Sequence, residues 1–446
     1  MRIAFVEHKL SLQTGGGSNM TLHSLASGLC ALGHDVTVIT VSPAMNSLLP
    51  DLPYRVVEDR LSDTYLGLRQ RIVLARRLKR LEPSADLLHI EAPSLIASAG
   101  LYKRLGGRLP VVARLHNYGF FCTNVARMDS DCHRHCSLLD RLKHRPQPLA
   151  NKLLLAPARI AEHYASLALV NRVDRFLAPS PAVAEIHSWY GVDPKKMVVM
   201  PSPLDYETLA GMQREIDVSA RDGQPFRILF AGRLTREKGV DILLQALAGL
   251  DFPFALDIAG DGPERAALEA MSDRLGLSAS VSFRGWVPQG EIAQYYLRAQ
   301  LFVHPVRWPE PSGRSITDAL AFGLPLVVAG LGGPPWIAGD ACRTFTPEDP
   351  DDLRAAIATV YRDPALAQRL SAAGRERGRD FDSARILETL IGVYDELVPA
   401  AVRGPERPAG AKPGTGAASG RRGRRRPAGS APSPERVQAQ QRDDQS

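Results

Sequence analysis

Short apolar strands alternate with glycine turns and amphipathic helices in both halves of the chain. Near the N-terminus, 2–7 has the pattern of a buried strand, 19–32 that of a helix ended by Gly33, and 35–41 returns as a strand. The same alternation recurs between 226 and 304. Strands that alternate with helices form parallel sheets. The pattern therefore predicts an α/β fold built from doubly wound parallel sheets.

Two carboxylates stand around a predicted helix start in the second half. Glu310 precedes Gly313, and Asp318, eight residues after Glu310, would lie about two turns inside the helix. A helix that begins near Gly313 would present the amides of Gly313, Arg314 and Ser315, together with its positive dipole end, to a diphosphate. The two acids would then reach hydroxyl groups on either side of the phosphate. The alternative interpretation is that both acids are ordinary partners of the helix dipole.

A turn with two cations follows the predicted strand at 226–231. It contains Gly232, Arg233 and Lys238, and an amphipathic helix comes after it. Open α/β sheets bind ligands at the carboxyl ends of their strands, where an Arg and a Lys can neutralise charge on a departing nucleoside diphosphate. The alternative is that 236–238 forms a solvated helix cap.

The carboxylate segment resembles the Glu-x7-Glu signature of retaining glycosyltransferases of the GT-B fold, and its flanks resemble glycosyltransferase family 4. The resemblance implies two Rossmann-like doubly wound domains that face each other across a cleft. It assigns Glu310 to the donor sugar and Asp318 to the ribose hydroxyls. Asp318 departs from the signature, because Asp is one methylene shorter than Glu. Ser312 is a second departure, since the family often has an aromatic residue there.

The same resemblance assigns further residues to the nucleotide sugar. It implies that Arg233 and Lys238, in the turn with Gly232, clamp the donor pyrophosphate. It also implies that the turn from Arg284 to Trp286 lies beside the nucleobase, mostly through backbone groups. Trp286 has a competing interpretation as a half-buried packing residue.

A glycine loop at 15–17 joins the first strand to the first helix. It lacks the Gly-x-Gly-x-x-Gly fingerprint, and no acid at the end of the next strand suggests a ribose anchor, which disfavours a nicotinamide dehydrogenase. The resemblance implies that this loop, with Gly16 and Gly17, faces the cleft near the donor phosphate and the acceptor. The alternative is that the glycines only permit a tight turn.

Two predicted strands, 86–90 and 111–115, end at histidines. His116 resembles the acceptor-side histidine of the family, which lies beneath the reacting sugar. We expect His89 to support the site without contacting the ligand. A structural role is the alternative for either histidine.

Cys122, Cys132 and Cys136 fall close together beside two histidines. They could form a tetrahedral zinc site, although the paired Cys-x2-Cys spacing is missing. A loop-stabilising insertion and reduced thiols are the alternatives. No Asp-x-Asp motif stands where the other common glycosyltransferase fold would need it, so we expect no catalytic metal and no cofactor besides the donor substrate.

The chain has 446 residues and 44% hydrophobic content, enough for two domains with real cores. No apolar run is long enough to span a membrane, and no secretory signal precedes the first strand, so we expect a cytoplasmic protein. The formal charge of +7 includes a basic amphipathic stretch, Leu66–Arg80, which could contact an anionic membrane or form a solvated helix face. No nucleic-acid-binding module accompanies the charge.

The expected domains are an acceptor domain at 1–203, a donor domain at 204–382, and a helix at about 383–398 that returns to the first domain. A disordered basic tail is expected at 404–446. The predicted function is retaining transfer of a hexose-type sugar from a nucleoside diphosphate to a hydroxyl of a glycan or lipid-linked acceptor, in cell-envelope or polysaccharide synthesis. The alternatives are a sugar-nucleotide epimerase or hydrolase of the same fold and a non-catalytic sugar-nucleotide-binding protein.

Overall fold

The described part of the chain is built on two parallel β-sheets. The computed structural model describes residues 1–12, 17–42, 46–59, 68–119, 164–212 and 224–399. One sheet has seven strands and the other has six, and every pair of neighbouring strands is parallel. The predicted fold class, an α/β chain with two doubly wound sheets, is confirmed.

The first sheet has the strand order β3-β2-β1-β4-β5-β6-β7. Its strands are β1 (Arg2–Glu7), β2 (Asp35–Thr40), β3 (Arg55–Glu58), β4 (Leu87–Ile90), β5 (Val111–Arg114), β6 (Arg175–Ala178) and β7 (Met197–Val199). The described helices of this half are α1 (Gly17–Ala31), α2 (Leu68–Arg80), α3 (Ile96–Arg104), α4 (164–170), α5 (Pro181–Trp189) and α6 (Tyr206–Gly211).

The second sheet has the order β10-β9-β8-β11-β12-β13. Its strands are β8 (Phe226–Ala231), β9 (Phe254–Ala259), β10 (Val281–Gly285), β11 (Leu301–His304), β12 (Leu326–Ala329) and β13 (Cys342–Phe345). The helices that follow along the chain are α7 (Val240–Ala248), α8 (Arg265–Arg274), α9 (Gln289–Arg298), α10 (Arg314–Ala321), α11 (Pro334–Ala338), α12 (Pro350–Arg362), α13 (Pro364–Gly378) and α14 (Ser383–Leu397).

The central strands are apolar on both faces, as parallel sheets covered by helices require. All four residues of β4, β5, β11 and β12 are buried. In contrast, the edge strand β3 has no buried residue. Burial on both faces explains why the central segments are short continuous apolar runs and show no alternation.

Each sheet has one point at which the chain reverses its direction of winding. In the first sheet this point lies between β1 and β4, and in the second it lies between β8 and β11. A crevice forms outside the carboxyl ends of the strands at such a point, and open α/β sheets bind their ligands there. The fold therefore directs attention to the loops after β8 and β11.

The last described helix, α14, packs on the core of the first sheet. Ile386, Leu390 and Tyr394 of α14 are buried in the same apolar cluster as Phe5 of β1 and Leu25 of α1. The two chain segments that connect the sheets also meet, because the Leu204 amide donates to the carbonyl of Phe381 at 2.8 Å and the Ser383 amide donates to the carbonyl of Leu204 at 2.9 Å. The domain boundary near residue 203 stays a prediction.

We predict that Leu390→Ala destabilises the chain by about 2–5 kcal/mol, because it leaves a cavity in a well-packed core. Leu390 is 0% exposed. The free energy of unfolding can be measured in a denaturant titration, with Glu388→Ala as the control, since Glu388 lies on the exposed side of the same helix. Equal stability of the two variants would contradict the packing of α14 as described.

Candidate active site

The Glu310 carboxylate is held between two basic side chains. Lys238 Nζ lies 2.7 Å from Glu310 Oε1, and His304 Nε2 donates to Glu310 Oε2 at 2.9 Å. Glu310 is only 8% exposed. Burial by itself would raise the pKa of Glu310, but the charges and hydrogen bonds of Lys238 and His304 outweigh burial and hold that pKa far below its usual range. Glu310 is therefore ionised at neutral pH.

Strand ends bring these groups together. Lys238 closes the 3₁₀ turn Arg236–Lys238 after β8, and His304 is the last residue of β11. Gly239 follows the turn with φ 66°, and a Cβ there would lie 1.9 Å from the carbonyl oxygen of Pro305. Only glycine fits both this backbone conformation and this close approach. Gly239 thus allows the Lys238 turn to pack against the segment that carries Glu310.

A partly buried ion pair fixes the same two segments further. Arg307 Nη2 donates to both carboxylate oxygens of Asp241, at 2.9 and 2.7 Å. The Arg307 amide also donates to the carbonyl of Glu237 at 3.1 Å. The loops after β8 and β11 are consequently joined by side-chain and backbone bonds.

Arg233 differs from Lys238 in its surroundings. It follows Gly232 at the end of β8, is exposed, and makes no hydrogen bond or ion pair with the described residues. Gly232 itself packs tightly, because a Cβ on Gly260 would lie 1.8 Å from the Gly232 carbonyl oxygen. The guanidinium of Arg233 is available to an anion that enters beside the strand end.

The predicted helix start at Gly313 is confirmed. Helix α10 begins at Arg314, and Gly313 is its N-cap residue with φ 101°. No side chain caps this end, which leaves backbone amides there for an anion. Gly17 from the first half lies beside it, since a Cβ on Gly17 would be 3.7 Å from Arg314 Cβ. Arg314 Nη1 is buried and has no hydrogen-bond partner among the described residues.

Asp318 is the fifth residue of α10, about one turn inside the helix and closer to its start than the two turns that its spacing from Glu310 suggested. Its Oδ1 is buried without a hydrogen-bond partner in the described part of the chain. Burial raises the pKa of Asp318 to about 6, and the nearby Arg314 charge offsets only part of this effect. Buried carboxylate oxygens without partners are unusual, so this one is suited to accept hydroxyl groups of a ligand.

His116 lies just beyond β5 at the carboxyl edge of the first sheet. Burial, followed by the positive charge of Arg114, lowers the pKa of His116 to about 3. The imidazole is therefore neutral, and its buried Nδ1 has no partner within the described ranges. The ring can donate one hydrogen bond and accept another, but it is not a cation at neutral pH.

A buried group of ionisable residues lies beneath this edge. His89 is 0% exposed and is hydrogen-bonded to the hydroxyl of Tyr394 in α14. Glu91, also 0% exposed, lies 3.4 Å from His89 Nε2 and 3.7 Å from Arg114 Nη1. Burial raises the pKa of Glu91, and it also raises that of Glu7 to about 8 with a further contribution from Glu91. His89 is thus buried beneath this edge, and its supporting role stays a prediction.

The turn from Arg284 to Trp286, which the resemblance assigns to the nucleobase, has one paired and one exposed side chain. The side chain of Arg284 is paired with Asp257 of the neighbouring strand β9, with Nε 2.6 Å from Oδ1. The Arg284 side chain is therefore engaged within the second sheet. Trp286 is 61% exposed, so its interpretation as a half-buried packing residue is wrong.

The basic stretch Leu66–Arg80 is described from Leu68 onwards. Helix α2 covers Leu68–Arg80, and its apolar residues Leu74, Ala75 and Leu78 are buried in the core. Arg76, Lys79 and Arg80 of the same helix are exposed, and contact of these cations with an anionic membrane stays a prediction. Within the described ranges, no helix combines the length and apolar character needed to cross a membrane.

Several predictions concern residues outside the described ranges. These are Gly16 of the glycine loop, the cluster Cys122, Cys132 and Cys136, and the tail at 404–446. The two described cysteines, Cys30 and Cys342, are free thiols.

Some residues at the site were not anticipated from the sequence. His304 carried the same signal as His89 and His116, a histidine at the end of an apolar strand, and could have been found by it. Arg114 and Glu91 end apolar strands in the same way. Four other residues meet the Glu310 segment only in the folded chain, so the sequence around them gave no signal. They are Tyr118, Ser180, Gly332 and Gly333.

We predict opposite stability effects for the two carboxylates at pH 7.5. Glu310→Gln should lower the free energy of unfolding by about 1–3 kcal/mol, because charged hydrogen bonds to Lys238 and His304 are lost. The pKa of Asp318 is raised on folding, so its contribution to stability is present at low pH and falls as pH rises from about 4 towards about 6. Asp318→Asn should therefore leave the melting temperature equal or higher. Comparable losses in both variants, measured by thermal unfolding, would refute this electrostatic account.

Two family profiles match the chain in succession. The profile "Glycosyltransferase Family 4" matches residues 15–208, and the profile "Glycosyl transferases group 1" matches residues 212–377. Together they cover every strand of the two sheets except β1.

Curated relatives and solved structures agree with the profiles. The chain is 32% identical over 176 residues to the lipopolysaccharide core biosynthesis glycosyltransferase LpsD of Rhizobium meliloti (39% of this chain, 50% of that one). It is 30% identical over 260 residues to the D-inositol 3-phosphate glycosyltransferase 1 of Catenulispora acidiphila (54% and 61%). The chain thus spans between 50% and 61% of these relatives' length. The structure of Anabaena Alr3699/HepE in complex with UDP superposes with a TM-score of 0.68 at 20% identity, over 89% of this chain and 100% of that one.

Proposed function

The chain belongs to glycosyltransferase family 4, and we propose that it is a nucleotide-sugar glycosyltransferase that transfers a hexose-type sugar to a hydroxyl with retention of configuration. One observation carries the proposal. An ionised Glu310 is held by Lys238 and His304 where the second sheet reverses its winding, next to the uncapped start of α10. A fixed negative charge beside an anion-binding helix end suits a ligand that has both hydroxyls and a diphosphate.

Each charged group has a role in this proposal. Glu310 accepts hydroxyls of the donor sugar, and Asp318 accepts those of the ribose. Arg233 and Lys238, with the amides of Gly313 to Ser315, bind the diphosphate and neutralise the charge that develops on it as the glycosidic bond breaks. The departing diphosphate then takes the proton of the acceptor hydroxyl on the same face of the sugar.

The acceptor side is assigned to the first sheet. His116 is neutral and has an unpartnered Nδ1, so it can bond to a hydroxyl of the reacting sugar or the acceptor. Gly17 of the first half lies beside Arg314 at the start of α10. We expect a glycan or lipid-linked acceptor and a cytoplasmic location, in keeping with the lipopolysaccharide-core enzyme among the relatives.

A thermal-shift panel of nucleoside diphosphates and their sugars tests the donor site. UDP and UDP-glucose are the first probes, because Alr3699/HepE was solved with each of them. We predict that one base series stabilises the wild type and that Arg233→Ala with Lys238→Ala abolishes the shift. Each charge-assisted bond contributes about 1.5–3 kcal/mol, so the affinity should fall at least about tenfold.

Arg236→Ala is the matched control for that panel, since Arg236 is an exposed cation in the same turn. Lys238→Ala also removes a partner of Glu310, so each variant is compared with its own ligand-free melting temperature. If no member of the panel stabilises the wild type, the donor assignment is wrong. Loss of the shift in the Arg236→Ala control would show that general charge, and not the two named cations, binds the nucleotide.

The rival functions differ in their use of an acceptor. An epimerase or hydrolase would consume the nucleotide sugar by itself at full rate, whereas a transferase releases nucleoside diphosphate slowly until an acceptor is added. A non-catalytic binding protein would show no release at all, and Glu310→Gln would leave its binding role intact. We predict slow release that Glu310→Gln reduces further, measured as free diphosphate.

A further inference from the structure

The segment that carries Glu310 is tied to the first half of the chain by two hydroxyls. The Tyr118 hydroxyl donates to the carbonyl of Pro309 at 2.7 Å, and the Ser180 hydroxyl donates to the carbonyl of Pro311 at 2.7 Å. Tyr118 and Ser180 are both 0% exposed. The two bonds therefore grip the residues on either side of Glu310, and both donors come from loops of the first sheet.

The local sequence makes these bonds necessary. Proline has no amide hydrogen, so Pro309 and Pro311 cannot donate a backbone hydrogen bond, but their buried carbonyls still need donors. On its other side the segment is held by the second sheet, because the Gly333 amide donates to the carbonyl of Glu310 at 2.8 Å. A Cβ on Gly333 would lie 2.3 Å from the Pro311 carbonyl oxygen, so only glycine permits this contact.

The Ser180 hydroxyl bonds to Pro311 and does not cap its own helix. Ser180 is the N-cap residue of α5, where a serine normally accepts a hydrogen bond from the first turn of its helix. Its side chain makes no such bond and points instead to Pro311. Helix α5 therefore lacks a side-chain cap, and the Ser180 hydroxyl bonds to the other half of the chain. This indicates that the bond to Pro311 is favoured over the capping bond.

Tyr118 is fixed in place before it meets Pro309. Its ring stacks on His187 at a centroid distance of 5.6 Å and contacts the edge of Trp308 at 6.0 Å. His187 is itself bonded to the carbonyl of Val183 through Nδ1 at 2.8 Å. The phenol is thus an oriented donor and not a mobile one.

We propose that Tyr118 and Ser180 are positioning residues that hold Glu310 against the donor sugar through the carbonyls beside it. This inference rests on the proposed function only in giving Glu310 the sugar as its partner. It follows that the sugar is engaged only while the two halves are in contact, whereas Arg233 and α10 bind the nucleotide from the second half alone. Loss of either hydroxyl should therefore affect the reaction of the sugar and spare binding of the nucleotide.

The test uses the full chain with Ser180→Ala, Tyr118→Phe and the double variant. UDP binding is measured by titration calorimetry, and release of UDP from UDP-glucose gives the reaction rate. We expect unchanged UDP affinity and a rate that falls about five- to thirtyfold for each hydroxyl, the loss expected for a buried hydrogen bond. The controls are Ser188→Ala, which removes a hydroxyl bonded within α5, and Tyr102→Phe, which removes a buried phenol bonded to Leu109 and Glu82.

Two further measurements separate positioning from general loosening. In a Glu310→Gln background, Ser180→Ala should cause no additional loss of rate if it acts through Glu310. Hydrogen exchange at the Gly333 amide should be faster in the double variant than in the controls, and this measurement needs no ligand.

The outcomes discriminate between the two proposals. Rates and Gly333 exchange equal to those of the controls would overturn the positioning role while leaving the donor site intact. A parallel loss of UDP affinity would also overturn it, because the hydroxyls would then serve the nucleotide. A wild type that neither binds UDP nor releases it from UDP-glucose would count against this donor instead, and the exchange at Gly333 would still decide the contact.

Discussion

The arrangement around the site depends on keeping one buried carboxylate charged. Removing a carboxylate from water is unfavourable, and an unpaired Glu310 would take up a proton. Lys238 and His304 prevent this by binding one oxygen each. Because the two bases come from the ends of β8 and β11, the carboxylate requires the loops after these strands to approach closely. The positive φ of Gly239, which lies against the carbonyl of Pro305, is a consequence of that requirement.

The second carboxylate of the signature has the opposite environment. Asp318 has a buried oxygen without a partner among the described residues and a pKa of about 6, whereas Glu310 has a partner for each oxygen and a strongly lowered pKa. Burying the Asp318 carboxylate is therefore unfavourable, and the charge of Arg314 offsets only part of the effect of burial. Such an oxygen is better satisfied when hydroxyls arrive. The shorter Asp side chain is therefore compatible with a ribose-binding role, because its acceptor is unoccupied and lies in the same helix that would receive the phosphate.

The sequence predicted the fold class and the local parts of the site, because these depend on short-range patterns. Apolar strands followed by glycine turns located β8 and β11, and the start of α10 was expected at Gly313. Long-range pairings were beyond such patterns. Lys238 and Glu310 are 72 residues apart, and Tyr118 and Pro309 are 191 apart, so neither contact has a local signature. The position of Trp286 was mispredicted for a related reason: base rates favour burial of a tryptophan, and only the packing of the loop decides the individual case.

The Pro309–Glu310–Pro311 segment explains why the two halves of the chain act together. Its flanking carbonyls are bonded by Tyr118 and Ser180 of the first half, while Glu310 itself is bonded by residues of the second. A segment with two prolines is stiff, so displacing either carbonyl would move the carboxylate between them. The hydrogen bonds that satisfy these carbonyls are therefore the same bonds that fix the acid relative to both sheets. The same contacts thus give the buried carbonyls their hydrogen-bond partners and hold the Glu310 carboxylate in place. Neither half of the chain can supply all of these contacts alone.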